Sequence, residues 1–222
     1  MAWEIEFSDE FGTWWDGLKV GEQESVRVAV DLLAVVGPAL ARPYADAIHG
    51  SKVANLRELR IQHEGRPYRV LYAFDPRRTG MLLIGGDKTG NPRWYEEFVP
   101  KAEAIYTQHL HESGRNRAMA RNFNELRARM SPESQARVAA RVKEELAKVP
   151  LYQLRNAREM TQARLAEILE MDQGNISKLE KRTDMYLSTL RSYIEAMGGE
   201  LEIRAVFPDG DVKIDLLNKL SA

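Results

Sequence analysis

The 222 residues contain no cysteine. That excludes disulfides, thiolate metal ligands and a thiol nucleophile, and makes a reducing cytoplasm the expected setting. No apolar run approaches the roughly 20 residues of a membrane span, and no secretory pattern follows Met1-Ala2-Trp3, so no membrane partner is expected. Histidine is scarce. His49, His63, His109 and His111 show no HExxH or comparable ligand spacing, and His109 and His111, two apart, do not share a helix face. No metal is therefore expected. A Gly-x-Ser-x-Gly nucleophile turn is also missing. Gly85-Gly86-Asp87-Lys88-Thr89 ends like a phosphate loop, but Asp87 replaces the glycine before the lysine and Leu82 to Ile84 supply none upstream. No cofactor follows from the sequence.

The net charge of -1 conceals an asymmetry. Residues 1–113 carry 13 Lys/Arg against 17 Asp/Glu, a balance of -4, whereas residues 114–222 carry 19 against 16, a balance of +3. All four tryptophans and all four histidines lie in the first part. The length has room for two small domains, and a short polar run, Ser113-Gly114-Arg115-Asn116-Arg117-Ala118, lies between them. Met119 then opens MARNFNELRARMSPESQ, which resembles the start of a separate protein. Ser131-Pro132-Glu133 has the cap, proline and first-turn acid of a helix start. These features divide the chain into a domain over 1–113, a linker with one helix over 114–149, and a second domain over 150–222.

Periodicity predicts an α+β first domain. Trp3–Phe7 alternates as a half-buried strand, and Ser8 caps a short helix over DEFGTWWDGL. A second helix follows from about Gly21, its buried stripe formed by Val26, Val30, Leu33 and Val36, and Gly37-Pro38 ends it. Three strands are expected at Asn55–Gln62, Pro67–Phe74 and Gly80–Gly86, with a last helix from near Pro92. Strand, two helices, an antiparallel meander and a closing helix make one layer pair.

Between Lys52 and Arg78 this acidic domain concentrates seven bases against three acids. Positive charge gathered on adjacent strands suits a polyanion, although a solvated sheet face would show similar composition. Alternation puts Arg69 with Leu71 and Ala73 on one face, and Arg60 with Leu56 and Glu58. Arg60 and Arg69 flank one groove if their strands pair in that register.

The second domain carries TQARLAEILEMDQGNISKLEKR from Thr161 to Arg182. Thr161 caps a first helix in which Leu165, Ile168 and Leu169 recur on one face. A second helix opens at Gln173, with Ile176 and Leu179 apolar and Gln173, Asn175, Ser177 and Lys178 on the other side. Gln and Asn can bond adenine edges, Ser bases or phosphates, and Lys guanine or phosphate. This is the arrangement of a helix-turn-helix in a major groove. Glu200–Phe207 then alternates as a strand, Pro208–Asp211 turns, and Val212–Ile214 returns as a hairpin, so an all-α helix-turn-helix domain with a C-terminal β-hairpin is expected.

Leu154 to Gly199 resembles a domain of the Xre/Cro/C1 repressor family. Gln162 inside the cap, Ala166 at the helix contact, Gln173 and Ile176 match its pattern, and Arg155 and Glu180 fall at the positions of the family's helix-to-helix ion pair. Glu170-Met171-Asp172 departs from it, because the family places glycine in this turn and a non-glycine residue at positive φ results. The resemblance implies that Gln162, Gln173, Asn175, Ser177 and Lys178 contact operator DNA, and that the protein forms a homodimer on paired half-sites.

Residues 3–111 resemble the RelE/HigB toxin superfamily, in its phage-derived Gp49-like branch. The match rests on LRELRI at 56–61, YRVLY at 68–72, and Leu82–Lys88 with Thr89-Gly90-Asn91. It implies a metal-independent endoribonuclease that cuts messenger RNA on the ribosome. The 2′-hydroxyl attacks the adjacent phosphate, so the enzyme removes one proton, neutralises the phosphorane and protonates the leaving oxygen. By correspondence Arg69 stabilises the phosphate, Arg60 assists, Lys88 binds phosphate or protonates the leaving group, Tyr95 stacks or donates a proton, and Glu58 is the candidate general base. Lys52, Arg57, Arg66, Arg77 and Arg93 are the expected RNA-backbone contacts.

Toxin first and Xre-type protein second is the HigBA operon order, and the second part resembles a HigA antitoxin. Together the two resemblances imply a toxin–antitoxin fusion, inhibited in cis or across a dimer. Two other readings stay open: a transcriptional regulator whose first domain is not catalytic, and a ParE-like gyrase inhibitor.

Overall fold

Ser8 marks the first turning point of the chain. Its side chain accepts a hydrogen bond from the Phe11 N–H and so caps helix α1 (Asp9–Asp16), which follows strand β1 (Glu4–Phe7). Helix α2 (Val20–Val36) buries Val26, Val30, Leu33 and Val36 as its spacing predicts, and ends at Gly37 with φ 63°. Strands β2 (Ala45–Ala47), β3 (Arg57–His63), β4 (Arg66–Phe74) and β5 (Thr79–Asp87) lead to helix α3 (Trp94–Ser113). After it come β6 (Arg121–Asn122), α4 (Asn124–Ala128), α5 (Pro132–Leu146) and α6 (Leu151–Ala157).

The computed structural model describes residues 3–113, 121–146, 148–182, 185–207 and 210–214. It divides into two compact units, Met1–Ala157 and Arg158–Ala222. The polar run after Ser113 and the Met119 start lie outside the described residues.

In the first unit the sheet order is β2-β3-β4-β5-β1-β6. β3, β4 and β5 form the expected antiparallel meander, while β1 pairs parallel with β5 and antiparallel with β6. One face packs under α1 and α2 through Leu59, Ile61, Tyr68, Val70, Tyr72 and Leu82. The other packs under α3 through Leu56, Leu71, Ala73, Met81, Leu83, Trp94, Ala102 and Tyr106. The alternation in YRVLYAF thus separates the faces as read from the sequence.

This unit extends well past the expected end at 113. Phe123, Leu126 and Val138 are each at most 1% exposed and join the core formed by Phe11, Trp15, Val26 and Leu33. Fully burying such side chains contributes about 2 kcal/mol apiece. The polar residues agree: Ser134 Oγ donates to Glu24 at 2.6 Å, Tyr44 donates to Glu145 at 2.6 Å, and Arg127 pairs with Asp31. Partial burial, then the bond to Glu145, pushes the Tyr44 phenol up to about 12.

The second unit contains α7 (Gln162–Ile168), α8 (Gln173–Lys181) and α9 (Leu187–Ala196). β7 (Ile203–Phe207) then pairs antiparallel with β8 (Gly210–Ile214), giving the expected hairpin, whose Pro208-Asp209 turn lies outside the described residues. No helix among the described residues is long and apolar enough to cross a membrane.

Candidate phosphate-binding site and DNA interface

Register builds the first site. Arg60 on β3 lies directly opposite Arg69 on β4, and Asp46 on β2 directly opposite Glu58 on β3. Two guanidiniums and two carboxylates therefore converge on the α3 face of the sheet. Glu58 is 3% exposed and Arg69 5%. Glu58 Oε2 accepts the Tyr95 hydroxyl hydrogen at 2.7 Å and lies 3.5 Å from Arg69 Nε. Its Oε1 is 3.3 Å from an Arg60 amino group, which also reaches Asp46 Oδ2 at 3.6 Å. Arg42 donates to that same Asp46 oxygen at 2.6 Å and, as the largest cause, holds this carboxyl below its ordinary range. Burial, then the bond to Glu58, raises the Tyr95 phenol. Lys88 sits 4.7 Å above the Tyr95 ring centre.

Tyr95 reaches Glu58 because of the glycine beneath its helix. Gly86 lies opposite Arg69, and a Cβ there would stand 2.8 Å from Trp94 Nε1 and 3.1 Å from Phe98. The stacked Trp94 and Phe98 rings, 4.4 Å apart, thus settle onto bare backbone and set the start of α3. The five residues expected to carry catalysis (Glu58, Arg60, Arg69, Lys88 and Tyr95) are therefore brought together.

The expected RNA contacts divide. Arg93 is exposed immediately before α3. Lys52 is exposed, but its N–H donates to Glu103, eight residues along α3 from Tyr95 and so about 12 Å away along the helix. Arg57, Arg66 and Arg77 do not join the cluster. Arg57 points to the α2 side and donates to the carbonyls of Pro38 and Leu40 at 2.5 and 2.6 Å. Arg66 pairs with Glu22 and Asp87. Arg77 lies 2.5 Å from Asp75 and 3.0 Å from Glu6. Glu6, Asp75 and His109 also bring ligand-type atoms within 4.8 Å of one another, and the Arg77 guanidinium supplies positive charge among them. Sequence reasoning missed Asp46 and Trp94. No motif marks Asp46, whereas a tryptophan eight residues after Gly85-Gly86 is a detectable large-on-small signal.

The second site is the helix pair of the second unit. Thr161 accepts the Arg164 N–H at 3.0 Å and caps α7. Leu165, Ala166, Ile176 and Leu179 are buried between the helices, and Tyr193 of α9 is wholly buried. Glu180 accepts from the Tyr193 hydroxyl at 2.5 Å and from the Gln162 amide at 2.7 Å. Gln162 thus also braces α7 against α8. Gln173, Asn175 and Lys178 are exposed and Ser177 is half-buried, forming the polar face read from the sequence.

Such a face on a helix-turn-helix belongs to the DNA-binding class, and the RelE-like sheet with its basic cluster to the toxin class. Residues 13–107 match the phage derived protein Gp49-like family, and residues 128–206 match a helix-turn-helix domain family. Toxin HigB3 of Mycobacterium tuberculosis (strain H37Rv), by name, is 44% identical over 91 residues, covering 40% of this chain and 78% of that protein. Antitoxin HigA2 of the same organism, by name, is 34% identical over 73 residues, covering 32% of this chain and 72% of its own length. A solved structure of DNA bound antitoxin HigA3 is 33% identical, covering 31% of this chain and 92% of that one, with a TM-score of 0.30. The chain belongs to the Gp49-like HigB toxin family in its first part and to the HigA-type helix-turn-helix family in its second. Helices α5 and α6 fall inside the helix-turn-helix match, yet they pack with the toxin-like core.

Proposed function

We propose that this chain is a toxin–antitoxin fusion whose first part is a ribosome-associated messenger RNA endoribonuclease, neutralised by the part that follows. The observation that carries the reading is the convergence of Arg60, Arg69, Lys88 and Tyr95 at one end of the α3 face. Two guanidiniums, an ammonium and a phenol are the donors that a phosphodiester passing through a dianionic phosphorane requires. Arg69 neutralises the phosphate, Arg60 assists, and Lys88 or Tyr95 supplies the proton to the leaving oxygen. Arg93 and Lys52 extend the path for the RNA backbone. Neutralisation is supported by the packing of α5, from the antitoxin-like sequence, into the toxin-like core. The second unit binds operator DNA as a dimer through Gln173, Asn175, Ser177 and Lys178 and represses transcription.

The test is translation arrest on expression of residues 1–113, relieved by Arg69→Ala. Normal growth with abundant fragment that circular dichroism shows to be folded without Phe123, Leu126 and Val138 would sink the ribonuclease reading. Arrest without messenger RNA cleavage would instead favour a gyrase-directed toxin. Loss of operator binding on Gln173→Ala checks the DNA interface separately.

A further inference from the structure

Both oxygens of Glu58 are already engaged. Oε2 holds Tyr95 at 2.7 Å and faces Arg69 Nε at 3.5 Å, and Oε1 faces Arg60 at 3.3 Å. A general base must reach the 2′-hydroxyl within hydrogen-bond distance. This carboxylate is 3% exposed and lies behind the groups that are to receive the substrate. Arg69 Nε, also buried, has no hydrogen-bond partner. A phosphodiester presents two anionic oxygens, as a carboxylate does, and seeks the same guanidinium and phenol donors.

We propose that Glu58 is a positioning residue that keeps the phosphate's place, and not the group that takes the 2′-hydroxyl proton. It holds Arg60, Arg69 and Tyr95 in the array that the scissile phosphate takes over, and it competes with that phosphate for the same donors. The competitor is local: Asp46 reaches Arg60 only at 3.6 Å and is itself held by Arg42. The inference rests on the ribonuclease reading for its catalytic part. Its anion-binding part stands without it.

The experiment uses the full chain, with inorganic phosphate and a non-cleavable 2′-O-methyl dinucleotide as probes in calorimetric titrations. Glu58→Gln keeps the shape and the acceptor for Tyr95 but removes the charge. It should bind both probes about tenfold more tightly than the parent, and Arg69→Ala should bind neither. Cleavage by Glu58→Gln should fall less than about tenfold and keep the acid limb of its pH–rate profile. Loss of a true base costs roughly 10²–10⁴-fold. Glu58→Ala, which also releases Tyr95, should raise KM as well as lower kcat. Unchanged or weaker probe binding by Glu58→Gln overturns the proposal, as does a collapse of cleavage with loss of the acid limb. Glu58→Met, uncharged and of similar length, replaces the Gln variant if a thermal melt shows the latter unfolded. Absence of cleavage in every form is what neutralisation in the intact chain produces, and the binding measurement then decides the role of Glu58.

Discussion

Glu24 and Arg137, 113 positions apart, are joined by hydrogen bonds of 2.6 and 3.2 Å from one guanidinium to one carboxylate oxygen. This tie crosses from the toxin-like α2 to the antitoxin-like α5. The Arg137 bond is the largest cause holding Glu24 below the ordinary carboxylate range. Yet the Arg137 side chain is 56% exposed, and pairs of that kind contribute little. Val138, wholly buried beside it, carries the seam. Arg137→Ala should therefore barely move the melting temperature of the first unit. Val138→Asp buries an unpaired carboxylate and should cost on the order of 3 kcal/mol. Calorimetry should then show a fall of roughly 6–12 °C. On the proposed reading the same substitution in the intact chain arrests growth, and Arg69→Ala in cis suppresses the arrest.

Gly85 and Gly86 separate stability from site geometry. At Gly86 a Cβ meets Trp94 Nε1 at 2.8 Å, on the α3 side, and at Gly85 it meets Trp14 ring atoms at 2.2 Å, on the α1 side. Overpacking of this kind costs typically about 1–3 kcal/mol. Both Gly→Ala variants should melt lower. Only Gly86→Ala should displace the start of α3, pull Tyr95 from Glu58 and weaken phosphate binding. Equal binding by the two variants in titration would show that Trp94 does not set Tyr95.

Acid should loosen the junction of α2 with β4 through Glu22. Its carboxylate accepts from the Lys19 N–H at 2.8 Å and the Tyr68 hydroxyl at 2.8 Å, and pairs with Arg66. These bonds, the Lys19 N–H foremost, bring its pKa from 4.5 to about 2. A carboxylate with a depressed folded value stabilises the protein above its unfolded value. That contribution is lost as pH falls from about 4.5 towards 2. Glu22→Gln should lower the melting temperature at neutral pH and flatten its decline across that window. A variant curve parallel to the parent's would remove Glu22 from the acid response.

What was legible in the sequence was whatever periodicity controls. In LRELRI and YRVLYAF the strand period of two assigns the faces of β3 and β4, and with them Glu58, Arg60 and Arg69 on one side. The exposed face of α8 follows equally from Ile176 and Leu179 three apart. Strand β2 has only three residues and no periodic signal, and its pairing with β3 brings in Asp46 unannounced. The parallel pairing of β1 with β5 joins residues about 75 positions apart, beyond any local pattern. Charge counting could not tell Arg69 from Arg57. What separates them is one step of register: Arg57 turns to the opposite face, where backbone carbonyls satisfy it. The reach of the first unit to Ala157 was hidden for a related reason, since α5 has a narrow apolar stripe that reveals no partner.

The turn between α7 and α8 offers a gain in stability. Glu170 has φ 50°, and it occupies the place where the repressor resemblance leads one to expect glycine. A left-handed conformation costs an L-residue about 1–2 kcal/mol, while glycine's extra unfolded-state entropy returns about 0.5–1 kcal/mol of that. Glu170→Gly should therefore stabilise the second unit by about 0.5–1 kcal/mol. For a unit of this size that is a rise of roughly 2–8 °C in its melting transition. Glu170→Ala retains the Cβ and should give no such rise, which separates backbone strain from loss of a side-chain charge. Gln173, Asn175 and Lys178 lie beyond the turn and remain exposed, so operator affinity should be unchanged. Stabilisation by alanine equal to that by glycine would mean that the glutamate charge, and not its φ, is what the turn resists.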